Sequence, residues 1–152
     1  MNQLLFQYCQ KIIIFSEDYS KVLLAKRQGE QDYDGVFTFI GGKLETTDGG
    51  FVEGLRREKN EEIGERAEVS ILPTITYNVY FQKKDGNHMV LPHYAAIYTG
   101  GEINTNEEYS DYKWVSLAEL DDFQPKIDNI PSLAQWALKI ASLADDGEWV
   151  KL

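Results

Sequence analysis

Three glutamates, Glu58, Glu61 and Glu62, follow one another at i, i+3 and i+4. On a helix that spacing turns all three carboxylates to one side, within an arc of about 100°. Like charges so placed cost a helix roughly 0.2–0.5 kcal/mol per pair, so the arrangement asks for something positive between them. A hard divalent cation is the natural candidate, because Mg²⁺ takes oxygen ligands and shares them with substrate phosphates. The plainer reading is a solvated acidic face, which is what most glutamate-rich helix faces are. The order of the surrounding residues favours chemistry: Gly41-Gly42-Lys43, a turn-rich loop through Thr46, Thr47, Asp48, Gly49 and Gly50, then Arg57-Glu58, Glu61-Glu62 and Gly64.

That order resembles the Nudix box, the signature of the Nudix hydrolases. The family pattern is Gly, five residues, Glu, seven residues, then Arg-Glu, an aliphatic residue, any residue, Glu-Glu, any residue, Gly and a final aliphatic residue. Gly42 takes the first position, and Arg57, Glu58, Glu61, Glu62 and Gly64 match one by one. A match at so many points is far more specific than a lone glycine motif. Four departures accompany it. The loop is one residue longer, which leaves Asp48 where the first family Glu falls by counting from Gly42. Lys59 and Glu65 replace aliphatic residues, and Ile40 stands where a Pro often precedes the glycine pair.

The resemblance implies a set of roles. Glu61 and Glu62 bind the metal together with the Gly41 carbonyl. Glu58 binds a second metal through water or orients the attacking water, and Arg57 pins a glutamate through a charge-assisted hydrogen bond. A basic residue often reaches substrate phosphate from the position of Arg27, whose planar fork of donors suits that task; its plainer reading is a surface cation. Lys43 lies near the phosphates or is simply a solvated cation, and Phe37 stands where a Trp is common, which makes it a base-stacking candidate beside its simpler reading as core. A glutamate in the loop before Trp114 supplies a further ligand or the base. Spacing selects Glu108, with Glu107 as the alternative. His93 and Tyr94 are further substrate-contact candidates.

The elements that must position these groups can be read in outline. Leu4 to Phe15, with the apolar run Ile12–Phe15, reads as a strand buried on both faces. Val22–Ala25 is a second strand, forming a hairpin with the first across Glu17, Asp18 and Ser20. Val36–Ile40 leads into the glycine pair. The box helix begins near Phe51 with Asp48 or Gly49 as its cap, buries Val52, Leu55 and Ile63, and ends at Gly64. Gly54 allows close approach to the sheet. Lys59 falls within the apolar stripe, so its methylenes pack and its ammonium snorkels outward. Strands follow in Ala67–Tyr77, Tyr77–Lys83 and Met89–Tyr98, the last two joined by Asp85-Gly86-Asn87. Pro92 reads as an edge position or bulge. Ser116 to Glu119 is a capping box for a short helix. A longer helix starts at Pro131 with Leu133, Trp136, Ala137, Ile140 and Leu143 on its apolar stripe, and residues from 145 to 152 read as a tail.

Hairpins and helices interleaved in this way indicate an α/β (α+β) domain with a mixed sheet. The resemblance implies a Nudix-type α/β/α sandwich with antiparallel hairpins over residues 1–152. At 152 residues, 43% apolar and 26% charged, the chain suits one globular domain. A net charge of −10, without Lys/Arg clusters, argues against a stable nucleic-acid partner. The single cysteine, Cys9, rules out an intrachain disulfide. No apolar run approaches a membrane span or a signal peptide, and the economical location is the cytoplasm.

The function implied is Mg²⁺-dependent (or Mn²⁺-dependent) hydrolysis of a phosphoanhydride in a nucleoside diphosphate linked to a group X. The leading version is a nucleoside triphosphate pyrophosphohydrolase of MutT type. The alternatives are an ADP-ribose, nucleotide-sugar or dinucleoside polyphosphate hydrolase and, from another class, a non-catalytic ligand-binding or regulatory module on the same fold. The partner is a small nucleotide, and a homodimer is compatible with the sequence.

Overall fold

The computed structural model describes residues 4–152. Its centre is a parallel pair, β1 (Phe6–Phe15) and β7 (His88–Gly100), paired from Phe6↔His88 to Phe15↔Ile97. Side chains alternate across β1. Ile13 and Phe15 join the core on one face, where helix α2 (Ile130–Leu143) packs with Leu133, Ala134 and Ala137. Ile12 and Ile14 join the core on the other, with Leu55 and Ile63 of helix α1 (Phe51–Ile63). The apolar run is continuous because both faces are covered. The result is the three-layer α/β/α arrangement around a mixed nine-stranded sheet.

Both central strands fork. On its outer edge β1 pairs with β2 (Lys21–Arg27) at Phe15↔Val22, then with β4 (Ile40–Lys43) from Ile12↔Ile40 to Cys9↔Lys43. β2 turns away to pair with β3 (Phe37–Thr38) and β8 (Tyr109–Ser116). Across the sheet, β7 carries β6 (Tyr77–Gln82) along its first half and β5 (Glu68–Ile71) along its second. The forks open a depression at one end of the sheet, and the site lies there.

Several expectations are corrected. The β1–β2 hairpin is real but short, because β2 has a longer partner in β8. Pro92 lies inside a central strand with neither an edge nor a register shift; it pairs with Asn78, and the β1–β7 ladder skips from Tyr8↔Val90 to Lys11↔His93 around it. Without an N–H, Pro cannot complete that rung. Ser116 to Glu119 forms consecutive turns and no helix. On α2 the buried stripe runs through Ile130, Leu133, Ala134, Ala137 and Ala141, and Leu143 is exposed. Residues 145–152 hold a 3-10 turn (Asp146–Glu148) and β9 (Val150–Lys151), which extends the sheet beside β5.

Candidate active site

Helix α1 decides how the three glutamates are used. Its buried face is Gly54, Leu55, Glu58, Lys59, Glu62 and Ile63. Glu58 and Glu62, one turn apart, therefore face the protein, while the Glu61 side chain keeps 55% of its surface in solvent. Gly54 permits this docking: a Cβ there would collide with Leu44 and the Gln10 side chain. The glycine pair does the same on β4. A Cβ on Gly42 would sit inside the Glu58 carboxylate, and Gly41 holds φ of 136° with the backbone of Gln10 pressed against it.

Arg57 is the centre of the charge network. Its guanidinium binds both oxygens of Asp48, Nε to Oδ1 at 2.6 Å and Nη2 to Oδ2 at 2.9 Å, the two-pronged geometry that favours arginine. Nη1 donates to Glu58 Oε1 at 2.9 Å and Glu61 Oε2 at 3.3 Å, and Nη2 also donates to the Lys43 carbonyl at 2.9 Å. Asp48 accepts the Glu45 N–H at 2.8 Å as well. These bonds, those of Arg57 foremost, hold its carboxyl down at about 2. Asp48 is thus not the helix cap. Gly50 takes that position with no side-chain cap bond, and Asp48 anchors the arginine that aligns two glutamates. The residue added to the loop is compatible with this because Asp48 is held through its side chain.

Glu62 is 2% exposed. Its Oε2 accepts the Gly41 N–H at 2.5 Å and the Tyr109 hydroxyl at 3.1 Å. Burial pushes this carboxyl up to about 8, against the pull of Lys11 and the Gly41 N–H and with added repulsion from Glu58 and Glu108. Glu58 is raised too, by burial first, with Arg57 opposing and Glu61 and Glu108 adding to the rise. Burial, with Glu62 beside it, pushes the Tyr109 hydroxyl far up, so it stays a donor.

Gly41, Gly42, Lys43, Arg57, Glu58, Glu61, Glu62, Glu108 and Arg27 all line one cavity of about 540 Å³. Glu108 is exposed at its rim, whereas Glu107 offers its carbonyl to the Gln28 amide at 2.7 Å. Arg27 reaches the cavity already tied, Nε to the Asp32 carbonyl at 3.3 Å and Nη2 to Glu30 at 3.4 Å. The far end of the cavity is apolar, formed by Phe39, Val79, Phe81, Met89, Leu91 and Ile130. Phe37 is not part of it. It is 3% exposed in the core, edge-on to Phe123; Phe39 shares that core cluster at 2% exposure but also borders the cavity. Tyr94 is likewise core, at 2% exposure. His93 does line the cavity. Its Nδ1 lies 2.9 Å from the Leu91 carbonyl, and burial, with Lys11 nearby, holds the ring down at about 4.

Three features beside the cavity escaped the sequence: Lys11, Tyr109 and the strap that ties residues 31–33 to Phe81 and Lys84. In that strap the Lys84 ammonium donates to the Gln31 carbonyl at 2.9 Å, the Lys84 N–H donates to Asp32, and Tyr33 packs on Phe81 with centroids 5.6 Å apart. Each depends on residues far apart in the chain, and no local pattern marks them. Lys59 also differs from expectation. It is 2% exposed, and its ammonium donates to the carbonyls of Gly64, Glu65 and Ala67 at 3.3, 3.4 and 2.9 Å. It caps the helix terminus from inside, where no basic residue occupies the last turn.

Among the described residues, no three His, Cys, Asp or Glu side chains converge closely enough to hold a metal ion as they stand. The donor chemistry nonetheless fits a hard divalent cation. Four carboxylates and the Gly41 carbonyl are all oxygen donors on one cavity, and two of the carboxylates bear burial and repulsion that a cation would relieve.

The NUDIX domain model matches residues 7–136. The chain therefore belongs to the NUDIX family and is a Nudix hydrolase. Its fold is similar to that of the MutT protein from Methanosarcina mazei Go1, at 18% identity and TM-score 0.71, covering 93% of this chain and 99% of that one. It is also similar to a NUDIX-family hydrolase from Clostridium perfringens, at 19% identity and TM-score 0.73 over 91% and 99%. A third similar structure is the NUDIX domain of Shewanella oneidensis NrtR complexed with ADP ribose, at 20% identity and TM-score 0.69 over 93% and 90%. No curated protein matches the sequence.

Proposed function

We propose that this protein hydrolyses a phosphoanhydride bond in a nucleoside diphosphate linked to a group X, with Mg²⁺ (or Mn²⁺), and that nucleoside triphosphates are its substrates in the manner of MutT. The observation that carries this is the Arg57 fork. It aligns Glu58 and Glu61 over the Gly41–Lys43 backbone, in the same cavity as Glu62 and Glu108. A cavity of about 540 Å³ is of the size that takes a small organic ligand.

Glu61, Glu62, Glu108 and the Gly41 carbonyl would hold the cation, which supplies charge neutralisation at the phosphate oxygens. Glu58 orients the attacking water and takes its proton as the water oxygen bonds to phosphorus and the bridging P–O bond breaks. Burial raises its pKa above the ordinary carboxylate value, which makes it a stronger base than a solvated glutamate. Arg57 holds Glu58 in place, and Asp48 holds Arg57. Arg27 and Lys43 face the phosphates, and the apolar end encloses the nucleoside.

ADP-ribose is the second substrate reading, because a similar fold is seen with that ligand. Release of cleavage products (nucleotide, pyrophosphate or sugar phosphate) should be measured across nucleoside triphosphates, ADP-ribose, nucleotide sugars and dinucleoside polyphosphates, with and without Mg²⁺. Release of pyrophosphate from a nucleoside triphosphate, only with metal, is the expected result. Preference for ADP-ribose would select the second reading. No release from any of them would leave a ligand-binding module.

A further inference from the structure

Two lysines are buried in this protein, and their surroundings differ. Lys59 spends its ammonium protons on three carbonyls. Lys11, on β1, is 7% exposed and lines the cavity, yet its one hydrogen-bond acceptor is the Gly41 carbonyl at 3.5 Å. No carboxylate pairs with it among the described residues; Glu62 is near enough to feel its charge but is bonded to Gly41 and Tyr109. An ammonium has three donors, and a buried one without partners costs folding free energy. A lysine kept in that condition on a cavity wall is waiting for an acceptor that arrives from outside.

Its place on the sheet says which acceptor. Lys11 is in register with Gly41 on one side and His93 on the other, so it stands between the carboxylate end and the apolar end of the cavity. A substrate with its anhydride at the carboxylates and its organic group among Phe39, Phe81 and Leu91 brings the phosphate that joins the two past Lys11. A compact, strongly hydrated point charge is suited to phosphate oxygen. The other cavity cations are more heavily engaged or more exposed: Arg27 with Glu30, Arg57 with Asp48, Lys83 with Asp85, and Lys43 in solvent.

We infer that Lys11 is a substrate-binding residue, holding a non-bridging oxygen of the phosphate attached to the nucleoside, on the reading of the site proposed above. Binding of AMP, GMP, CMP and UMP, and of the four matching nucleosides, to the full chain and to Lys11→Met in Mg²⁺ tests it by calorimetry. Monophosphates contain no anhydride and survive the titration. Wild type should bind at least one monophosphate about tenfold or more tightly than its nucleoside. Lys11→Met should lose that margin while nucleoside affinity holds, and Lys11→Arg should recover part of it. Equal weakening of nucleoside and monophosphate, an unchanged margin in Lys11→Met, or no margin in wild type would each overturn the inference. Should Lys11→Met fail to fold, Lys11→Gln carries the same comparison. Failure of the hydrolase reading shows separately, as absence of any cleavage product from wild type with the substrates above, and does not bear on the margin.

Discussion

At one end of the cavity, position is set by charge. Arg57 reaches Asp48, Glu58, Glu61 and a backbone carbonyl, and each bond has a direction and a length that a single substitution would upset. At the other end, position is set by packing. Val79, Met89 and Leu91 stand on the paired strands β6 and β7, and with Phe39 they offer shape without direction. The first end is suited to fixing a reaction to within fractions of an ångström. The second is suited to enclosing an organic group loosely, and it tolerates change there. On the function proposed above, chemistry and substrate choice fall to different ends, and substitutions should tell the two apart.

The largest effect belongs to the carboxylates. Glu61→Gln and Glu62→Gln, made singly, should lower Mg²⁺-dependent turnover by roughly a thousandfold with circular dichroism and melting temperature nearly unchanged. Near-normal turnover in both would remove the charge-built end from the mechanism. Next come the residues that act through others. Asp48→Asn and Arg57→Lys should each cost about 10–100-fold in kcat, and the double variant should cost little more than the worse single one, because the pair acts as a unit. Additive losses would show that Asp48 does something besides hold Arg57.

Substitution at the packed end should act differently. Phe81→Ala removes an aromatic wall and the support of Tyr33. It should raise KM by roughly tenfold and alter the order of preference among nucleotides, with kcat largely retained. A fall in kcat with KM unchanged would mean that the two ends are coupled. A last effect is on stability and leaves activity at neutral pH untouched. His93 is held at about 4 in the folded protein, against an ordinary value of 6.5, chiefly by burial. Between those values the unfolded chain binds more protons than the folded one. The stability due to neutral His93 is full above pH 6.5 and is lost as pH falls through 4, with a slope approaching about 1.4 kcal/mol per pH unit. Denaturant midpoints from pH 7 to 4 should fall less steeply in His93→Gln than in wild type; equal slopes would rule His93 out as the source.

Much of the carboxylate end was legible in the sequence, because helix geometry is local. The spacing of Arg57, Glu58, Glu61 and Glu62 is enough to cluster them; Gly41 and Gly42 came from the box resemblance and Glu108 from its spacing before Trp114, and all three line the same cavity. The packed end was legible only as apolar strands. Phe37 and Phe39 are equally plausible cavity residues from the sequence; both are packed into one core cluster, and only Phe39 also borders the cavity. The strap by Lys84 and the partnership of Tyr109 with Glu62 join residues separated by 47 or more positions, and no periodicity reports such pairs.

What the sequence determined by itself was the class of fold, the box helix and the sign of the charge on its outer turns, since these follow from periodicity and from spacings of four residues or fewer. Tertiary structure decided the rest. It buried Glu58 and Glu62 and left Glu61 at the rim, turned Asp48 from a cap into an anchor, and gave Lys59 its acceptors while leaving Lys11 short of them. The physical reason is that burial and hydrogen-bond satisfaction depend on what the rest of the chain brings alongside, and here the neighbours come from β1, β4, β7 and β8.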